Sequence, residues 1–537
     1  MVLTRVAASF ALFLVLPTLT EPPTFAFPPA PAVGIPALPS DFNGDGVEDL
    51  LIGVPADGTR DLFRTGGVHV IYGTAPDGTA QASQYFGLRS PPLGPLMKQY
   101  PSLFGNVIVS GDFDRDGYAD AAIAVPGYDE PDVEAQRINV GAVVVIYGSA
   151  AGLAPDGSQP VEVWSQDDPR VQGVSEDDDG FGNALAVGDY DGDTYLDLAI
   201  GIEGEQTGPN SRNTGAVTVL FGNARGLTSR DQVVDQDTRG ILDASETDDY
   251  AGGSLAAGDF DGDGVDDLAL GVAAENIEGR RDAGAVNVIY GTRDVGLTGK
   301  GDRFFHEGLE SVEGSARARE WFGSVMAVGD FDGNGLDDLV AAAPWDRISG
   351  MDAAGSFTVL PGSVDGLQAQ HSTTFDLRDL SPSSRLAYAE LARALATGDV
   401  NGDGFDELAI GSPFAEPGGR IDLLTGTADG LSLSGRQVLE QPQEPGFSSL
   451  GHALQLAEFD NTPGSDLLIG MWGASVAHET GNWQAAGTAV LFPSRGGRIS
   501  EEGYQLFHQG APPAGGTPDR YEEFGGAVPG STHWEAY

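Results

Sequence analysis

The sequence predicts an all-β fold, a seven-bladed β-propeller of four-stranded blades, and three observations predict it. An acidic motif recurs seven times, starting at Asp41, Asp112, Asp189, Asp259, Asp330, Asp399 and, in worn form, Glu458, at steps of 71, 77, 70, 71, 69 and 59 residues. A fixed period on this scale marks a solenoid, a propeller or an array. Each repeat holds four runs of four to eight β-branched or aromatic residues bounded by Gly, Asp or Asn, which is strand text. Glycine supplies 78 of 537 residues, about twice the usual share, as many tight turns require.

The elements follow in chain order. Arg5 precedes an apolar run from Val6 to Leu16, and small residues follow up to Ala26. This is the layout of a secretory signal peptide over residues 1–26, leaving one propeller over 27–537. The run is shorter than the ~20 residues that span a bilayer. Secretion is the expected destination, with periplasm or cell surface as variants of it.

Within a repeat, a Phe-Gly pair opens the first strand, as at Phe104-Gly105, Phe181-Gly182 and Phe322-Gly323. The acidic motif follows eight residues later, then an apolar second run such as Leu268-Ala269-Leu270-Gly271. After a variable loop comes a third run, as in Gly215 to Gly222, and then a more polar fourth, as in Val161 to Ser165. Apolar inner runs and a polar last run suit a radial sheet, covered by its neighbours near the axis and wet at the rim. Closing the ring limits exposed strand edges. An eighth copy of the first strand, Phe524 to Val528, stands near the C-terminus with no acidic motif after it. Before the first motif lies Val33 to Pro39, whose prolines make a poor inner strand. Two closures are open: the C-terminal copy completes the N-terminal blade, or Val33 to Leu38 does.

The motif reads Asp-x-Asp/Asn-x-Asp-Gly-x-x-Asp. Side-chain oxygens at positions one, three and five of a curled loop point inward, a backbone carbonyl at seven joins them, and the acid at nine closes the shell. Such an all-oxygen cage suits Ca²⁺. The candidate ligands are Asp41, Asn43, Asp45, Val47 and Asp49; Asp112, Asp114, Asp116, Tyr118 and Asp120; Asp189, Asp191, Asp193, Tyr195 and Asp197. The next three loops add Asp259, Asp261, Asp263, Val265 and Asp267; Asp330, Asp332, Asn334, Leu336 and Asp338; Asp399, Asn401, Asp403, Phe405 and Glu407. Thr194 replaces the turn glycine in the third loop. The seventh has Glu458, Asp460, Thr462, Pro463 and Asp466, and tight metal binding is not expected there.

These repeats resemble the FG-GAP repeat of integrin alpha-chain propellers and of many secreted bacterial proteins. The Phe-Gly pairs, the acidic loops, and Gly53-Val54-Pro55 and Ala342-Ala343-Pro344 carry the resemblance. It implies a seven-bladed propeller with calcium loops on one face and a ligand-binding or adhesive role on the other. Ala251-Gly252, Leu391-Ala392 and Leu450-Gly451 depart from Phe-Gly. The leg domains that follow an integrin propeller are absent, so heterodimeric receptor function does not carry over.

The formal charge is −52. Such a surface repels nucleic acid and anionic membranes and attracts cations. Cysteine is absent, which removes thiolate chemistry and disulfides. No zinc-protease, nucleophile-elbow or phosphate-loop motif occurs, and the histidines are scattered. The expectation is therefore a binding scaffold and not an enzyme, taking a protein or carbohydrate on the face away from the calcium loops. That face collects Tyr128, Trp345, Asp346, Arg347, Trp472 and Trp483. The rival expectation is an extracellular hydrolase or lyase with an acidic site at the propeller axis.

Overall fold

The computed structural model describes residues 37–529, apart from 58–64, 75–79, 89–92, 94–101, 130–136, 154–160, 209–210, 310–311, 313–314, 381–387, 417, 441–448, 479–480, 484–485 and 510–522. The signal peptide over 1–26 lies outside the described residues, as does most of the Val33 to Leu38 segment.

The molecule is a seven-bladed β-propeller of antiparallel sheets. Blade 3 shows the plan: Leu185–Gly188 innermost, then Asp197–Ile202, Ala216–Leu220 and Asp231–Val234 at the rim. Blade 4 repeats it with Ala251–Gly258, Asp267–Val272, Ala285–Tyr290 and Thr298–Phe305. In both, every residue of the second and third strands is buried, whereas the rim strand is partly exposed. That gradient places each blade's apolar faces between its neighbours. The core is accordingly divided into seven layers, one at each junction between blades, from Val107, Phe181 and Ile200 between blades 2 and 3 to Leu50, Leu468 and Phe524 between blades 7 and 1.

Two ladders of backbone contacts join the blades. On one face, the glycine before a third strand bridges the Phe position of the next blade: Gly66 to Phe104, Gly141 to Phe181, Gly215 to Ala251, Gly419 to Leu450. A Cβ on Gly141 would stand 2.2 Å from the Phe181 backbone nitrogen, so only glycine permits the approach. On the other face, position one of six of the seven acidic loops accepts the backbone N–H at position eight of the next. Asp259 N–H donates to Asp337 Oδ2 at 2.9 Å, and Asp337 N–H returns to the Asp259 carbonyl at 3.2 Å.

Both ladders continue across the junction of the termini. Gly487 of blade 7 bridges Phe524, and Glu458 N–H donates to Glu48 Oε2 at 2.8 Å while Glu48 N–H donates to the Glu458 carbonyl at 3.2 Å. Blade 1 has three strands of its own, Leu50–Val54, Gly67–Thr74 and Ala80–Gly87. Residues 524–528 lie against the first of them. Gly53 N–H donates to the Ala527 carbonyl at 2.9 Å and Gly525 N–H to the Gly53 carbonyl at 3.0 Å. The same pair of bonds joins Gly182, Gly201 and Ala184 in blade 3.

Among the described residues, helix is limited to Ala369–His371 and Leu377–Leu380. No helix among the described residues is long and apolar enough to cross a membrane.

Candidate metal centres and the opposite face

The acidic loops connect the first and second strands of each blade, so all lie on one face. Their curl is made by their own carboxylates. In the first, Asp41 accepts the N–H groups of Asp45 at 3.0 Å and Gly46 at 2.8 Å, Asn43 accepts that of Asp45 at 2.8 Å, and Asp45 accepts that of Val47 at 3.0 Å. Asp49 fixes the loop to the sheet, accepting from Phe42 at 3.0 Å and from Gly73, at the end of the third strand, at 2.8 Å. The loops starting at Asp112, Asp189, Asp259 and Asp330 repeat the arrangement. Position two, unremarked in the motif, is fully buried as Phe42, Phe113, Tyr190, Phe260, Phe331 and Phe459. Its signal was the aromatic in six of seven copies.

The inward carboxylates converge. Oxygens of Asp112, Asp114 and Asp120 lie within 4.8 Å of one another, as do those of Asp189, Asp191 and Asp197, and of Asp259, Asp261 and Asp263. Burial, reinforced by the neighbouring carboxylates, pushes Asp116 and Asp338 up to about 7 and Asp197 and Asp267 up to about 8. Asp49 and Asp120 are pushed well above the carboxylate range. Convergent oxygens that resist ionising beside one another are a donor set fit for a hard divalent cation.

The loops are not equivalent. In the third, the Arg230 guanidinium pairs with Asp191, a neighbour across the blade that the motif did not disclose. In the sixth, Glu407 Oε1 takes the Asn401 side-chain amide at 2.9 Å, an interaction allowed by the extra methylene. In the seventh, Pro463 removes the N–H that position one clasps elsewhere, while Asp460 keeps the usual bond from the position-five N–H of Thr462.

The loops between strands two and three and the crossovers between blades form the other face. A cleft of about 780 Å³ opens there between blades 2 to 4, lined by Asn139, Asn183, Glu203, Arg212, Asn213 and Tyr250 among others. None of these was singled out from the sequence, since each is one polar residue in a variable loop. Of those that were, Trp345 packs edge-on against Trp321 at 4.7 Å, and Trp472 packs against His452 at 5.5 Å. Tyr128 packs on the core, Asp346 is buried against Arg317 and Ser356, and Arg347 pairs with Asp352 at 2.9 Å. These anchor loops and do not converge. The Trp483 side chain lies outside the described residues. His306 and His508 each set Nδ1 against the carbonyl of the next residue, an equivalent structural role.

The axis corrects one expectation. The central channel, about 310 Å³, is lined by Val107, Leu185, Leu255, Met326, Leu395 and Leu454 with their neighbours, and no carboxylate lines it among the described residues. Inner strands turn alternate apolar side chains to the axis and place their acids beyond its end. Among the described residues, then, no acidic cluster is formed at the axis.

The sequence matches the FG-GAP repeat at residues 104–146, 181–220, 251–289, 322–360 and 391–424. Over 222 residues the chain is 32% identical to phosphatidylinositol-glycan-specific phospholipase D of Bos taurus, a match spanning 39% of this chain and 25% of that protein. It is 31% identical over 244 residues to integrin alpha-PS2 of Drosophila melanogaster, 43% of this chain and 16% of the integrin. Integrin alpha-8 of Gallus gallus is 28% identical over 250 residues, 44% of this chain and 21% of that one. The matched part is thus a quarter or less of each relative. Among solved structures, exotype rhamnogalacturonan lyase YesX aligns over 89% of this chain and 74% of its own, with 14% identity and a TM-score of 0.38. The expectation that the chain is not an enzyme is overturned by the relatives, which include a phospholipase D from both Bos taurus and Homo sapiens. Repeat matches, blade plan and relatives agree: the chain is a seven-bladed β-propeller carrying five FG-GAP repeats, similar to integrin alpha chains.

Proposed function

We propose that this is a secreted propeller that holds calcium in its hairpin loops and binds a protein or glycan ligand on the opposite face. The loops Asp41 to Asp49, Asp112 to Asp120, Asp189 to Asp197, Asp259 to Asp267, Asp330 to Asp338 and Asp399 to Glu407 are the calcium sites in this reading, and the ions stiffen the ring that presents the ligand face. One observation carries it: the polar cleft at Asn139, Asn183, Asn213 and Tyr250 gathers amides, a hydroxyl and the Arg212 cation in one concave place. Such a lining suits the hydroxyls of a sugar or the backbone of a peptide. A glycan array and a pull-down with calcium present test it. Ligand binding should fall at least tenfold in Asn183→Ala/Tyr250→Ala. Undiminished binding by that variant would place the ligand elsewhere.

A second reading, hydrolysis, is favoured by the phospholipase D relatives. Its test is whether the purified chain cleaves a phosphatidylinositol glycan. No cleavage with calcium present would count against it.

A further inference from the structure

A second set of carboxylates, unrelated to the hairpin motif, recurs on the ligand face. Glu176 and Asp179 lie on the crossover into blade 3, and Glu205 on the loop between that blade's second and third strands; their oxygens come within 4.8 Å of one another. One repeat later Glu246, Asp249 and Glu275 occupy the same three places with the same convergence. Asp179 and Asp249 are fully buried. Each spends one oxygen on a backbone N–H, of Glu176 and Glu246 respectively, both at 2.5 Å.

Acidic clustering alone would carry little. Three independent observations point to a ligand. The first is a set of buried oxygens with no hydrogen-bond partner. They include Asp179 Oδ1 and Asp249 Oδ1, but also the neutral Gln166 Oε1, Gln236 Oε1 and Ser175 Oγ. Gln166 and Gln236 are 4% and 1% exposed, and each presents its amide to the cluster, Gln166 through Glu205 and Gln236 through Glu275. Buried acceptors of this kind require a donor or a cation.

The second is blade 5. There Arg317 stands where the other copies have Glu176 and Glu246, Glu320 where they have Asp179 and Asp249, and Asp346 where they have Glu205 and Glu275. The Arg317 guanidinium pairs with Asp346, and it lies close enough to Glu307 and Glu320 to act on both. Where the chain supplies its own cation, the first acid is the residue given up. The third is blade 6, where Ala389 and Ala415, both buried, take the places of the second and third acids together. In blade 6 the second and third acids are lost together, as ligands of one ion would be.

Arg137 acts on the blade 3 cluster from a distance but is engaged with Asp167 at 3.0 Å. Glu275 is raised by burial and then by Asp249, Asp243 and Glu246. The oxygen-only donor set excludes a preference for soft metals.

We propose that Glu176/Asp179/Glu205 and Glu246/Asp249/Glu275 are two further sites for a hard divalent cation such as calcium, built at blade junctions on the face opposite the hairpin loops, and that Arg317 permanently fills the homologous place in blade 5. The first adjoins the cleft at Asn183 and Glu203, so an ion there would order its wall.

Equilibrium dialysis of the full chain against calcium, after stripping with chelator, tests this by stoichiometry. Asp249→Asn/Glu275→Gln should bind one ion fewer than the unmodified chain, and Arg317→Glu one ion more, with both variants melting cooperatively. The gain in the second variant keeps the test meaningful should the first fold poorly. An unchanged count in a folded Asp249→Asn/Glu275→Gln protein overturns the proposal. So does an Arg317→Glu protein that takes up no additional ion.

Discussion

Thr194 stands where the other complete loops have a turn glycine. Its φ is +80°, matching +79° at Gly264 and +81° at Gly335 in neighbouring loops. The left-handed region costs a β-branched residue about 1–2 kcal/mol. Thr194 keeps it because its N–H is clasped by Asp189 at 2.8 Å, which leaves the turn no alternative. Replacing Thr194 by Gly should therefore stabilise the protein by about 1 kcal/mol, read as a higher urea midpoint at unchanged slope. A lower midpoint would mean that the hydroxyl, which meets the half-buried Arg115, contributes more than the strain removes.

At the level of the strand, residues 524–528 make the same bonds to Gly53 that a continuous inner strand makes within other blades. Phe524 is fully buried between blades 7 and 1, with its ring 5.2 Å from that of His69. His69 is held neutral there, pushed down to about 4 by burial. Truncating a buried Phe costs about 3–5 kcal/mol. Phe524→Ala should destabilise as much as Phe181→Ala in blade 3, and both should raise the unfolding rate. A loss under about 1 kcal/mol for Phe524→Ala, with the full loss for Phe181→Ala, would show that this segment does not fasten the ring.

For the whole molecule the governing quantity is carboxylate charge buried in the loop face. Asp116, Asp338 and Glu407 titrate at about 7, and Asp197 and Asp267 at about 8, all raised first by burial. A carboxyl whose folded value is raised binds more protons folded than unfolded, so its stabilising effect is complete below about 4 and is lost as pH rises through the folded value. In chelator the melting temperature should fall between about pH 5 and pH 8. Calcium should offset the fall, because the ion replaces the protons between the carboxylates. Each site adds about 2.7 kcal/mol when free calcium is a hundred times its dissociation constant. A melting temperature indifferent to both pH and chelator across that window would refute calcium-dependent ring stability. The Glu458 loop should contribute nothing, since Pro463 removes one of its clasping donors.

The repeat period, four strands to a repeat and the position of each acidic loop were legible along the chain because they are local. A strand's burial pattern, a turn glycine and the spacing of ligands within nine residues are fixed by bonds between near neighbours. The doubled acids Glu48-Asp49, Asp266-Asp267 and Asp337-Asp338 were also visible, but only the ninth position had a local meaning. The eighth acts on the preceding blade in the ring, and for Glu48 that partner is Glu458, far away in sequence and adjacent only once the ring is shut. The same limit applies to the face opposite the acidic loops. Gln166, Glu176 and Asp179 lie on one crossover and Glu205 on the next loop of blade 3, at spacings that Gln236, Glu246, Asp249 and Glu275 repeat. The recurring spacing was there to be read, but that the acids converge was not, because the crossover and the loop meet only once the first and second strands of the blade are paired.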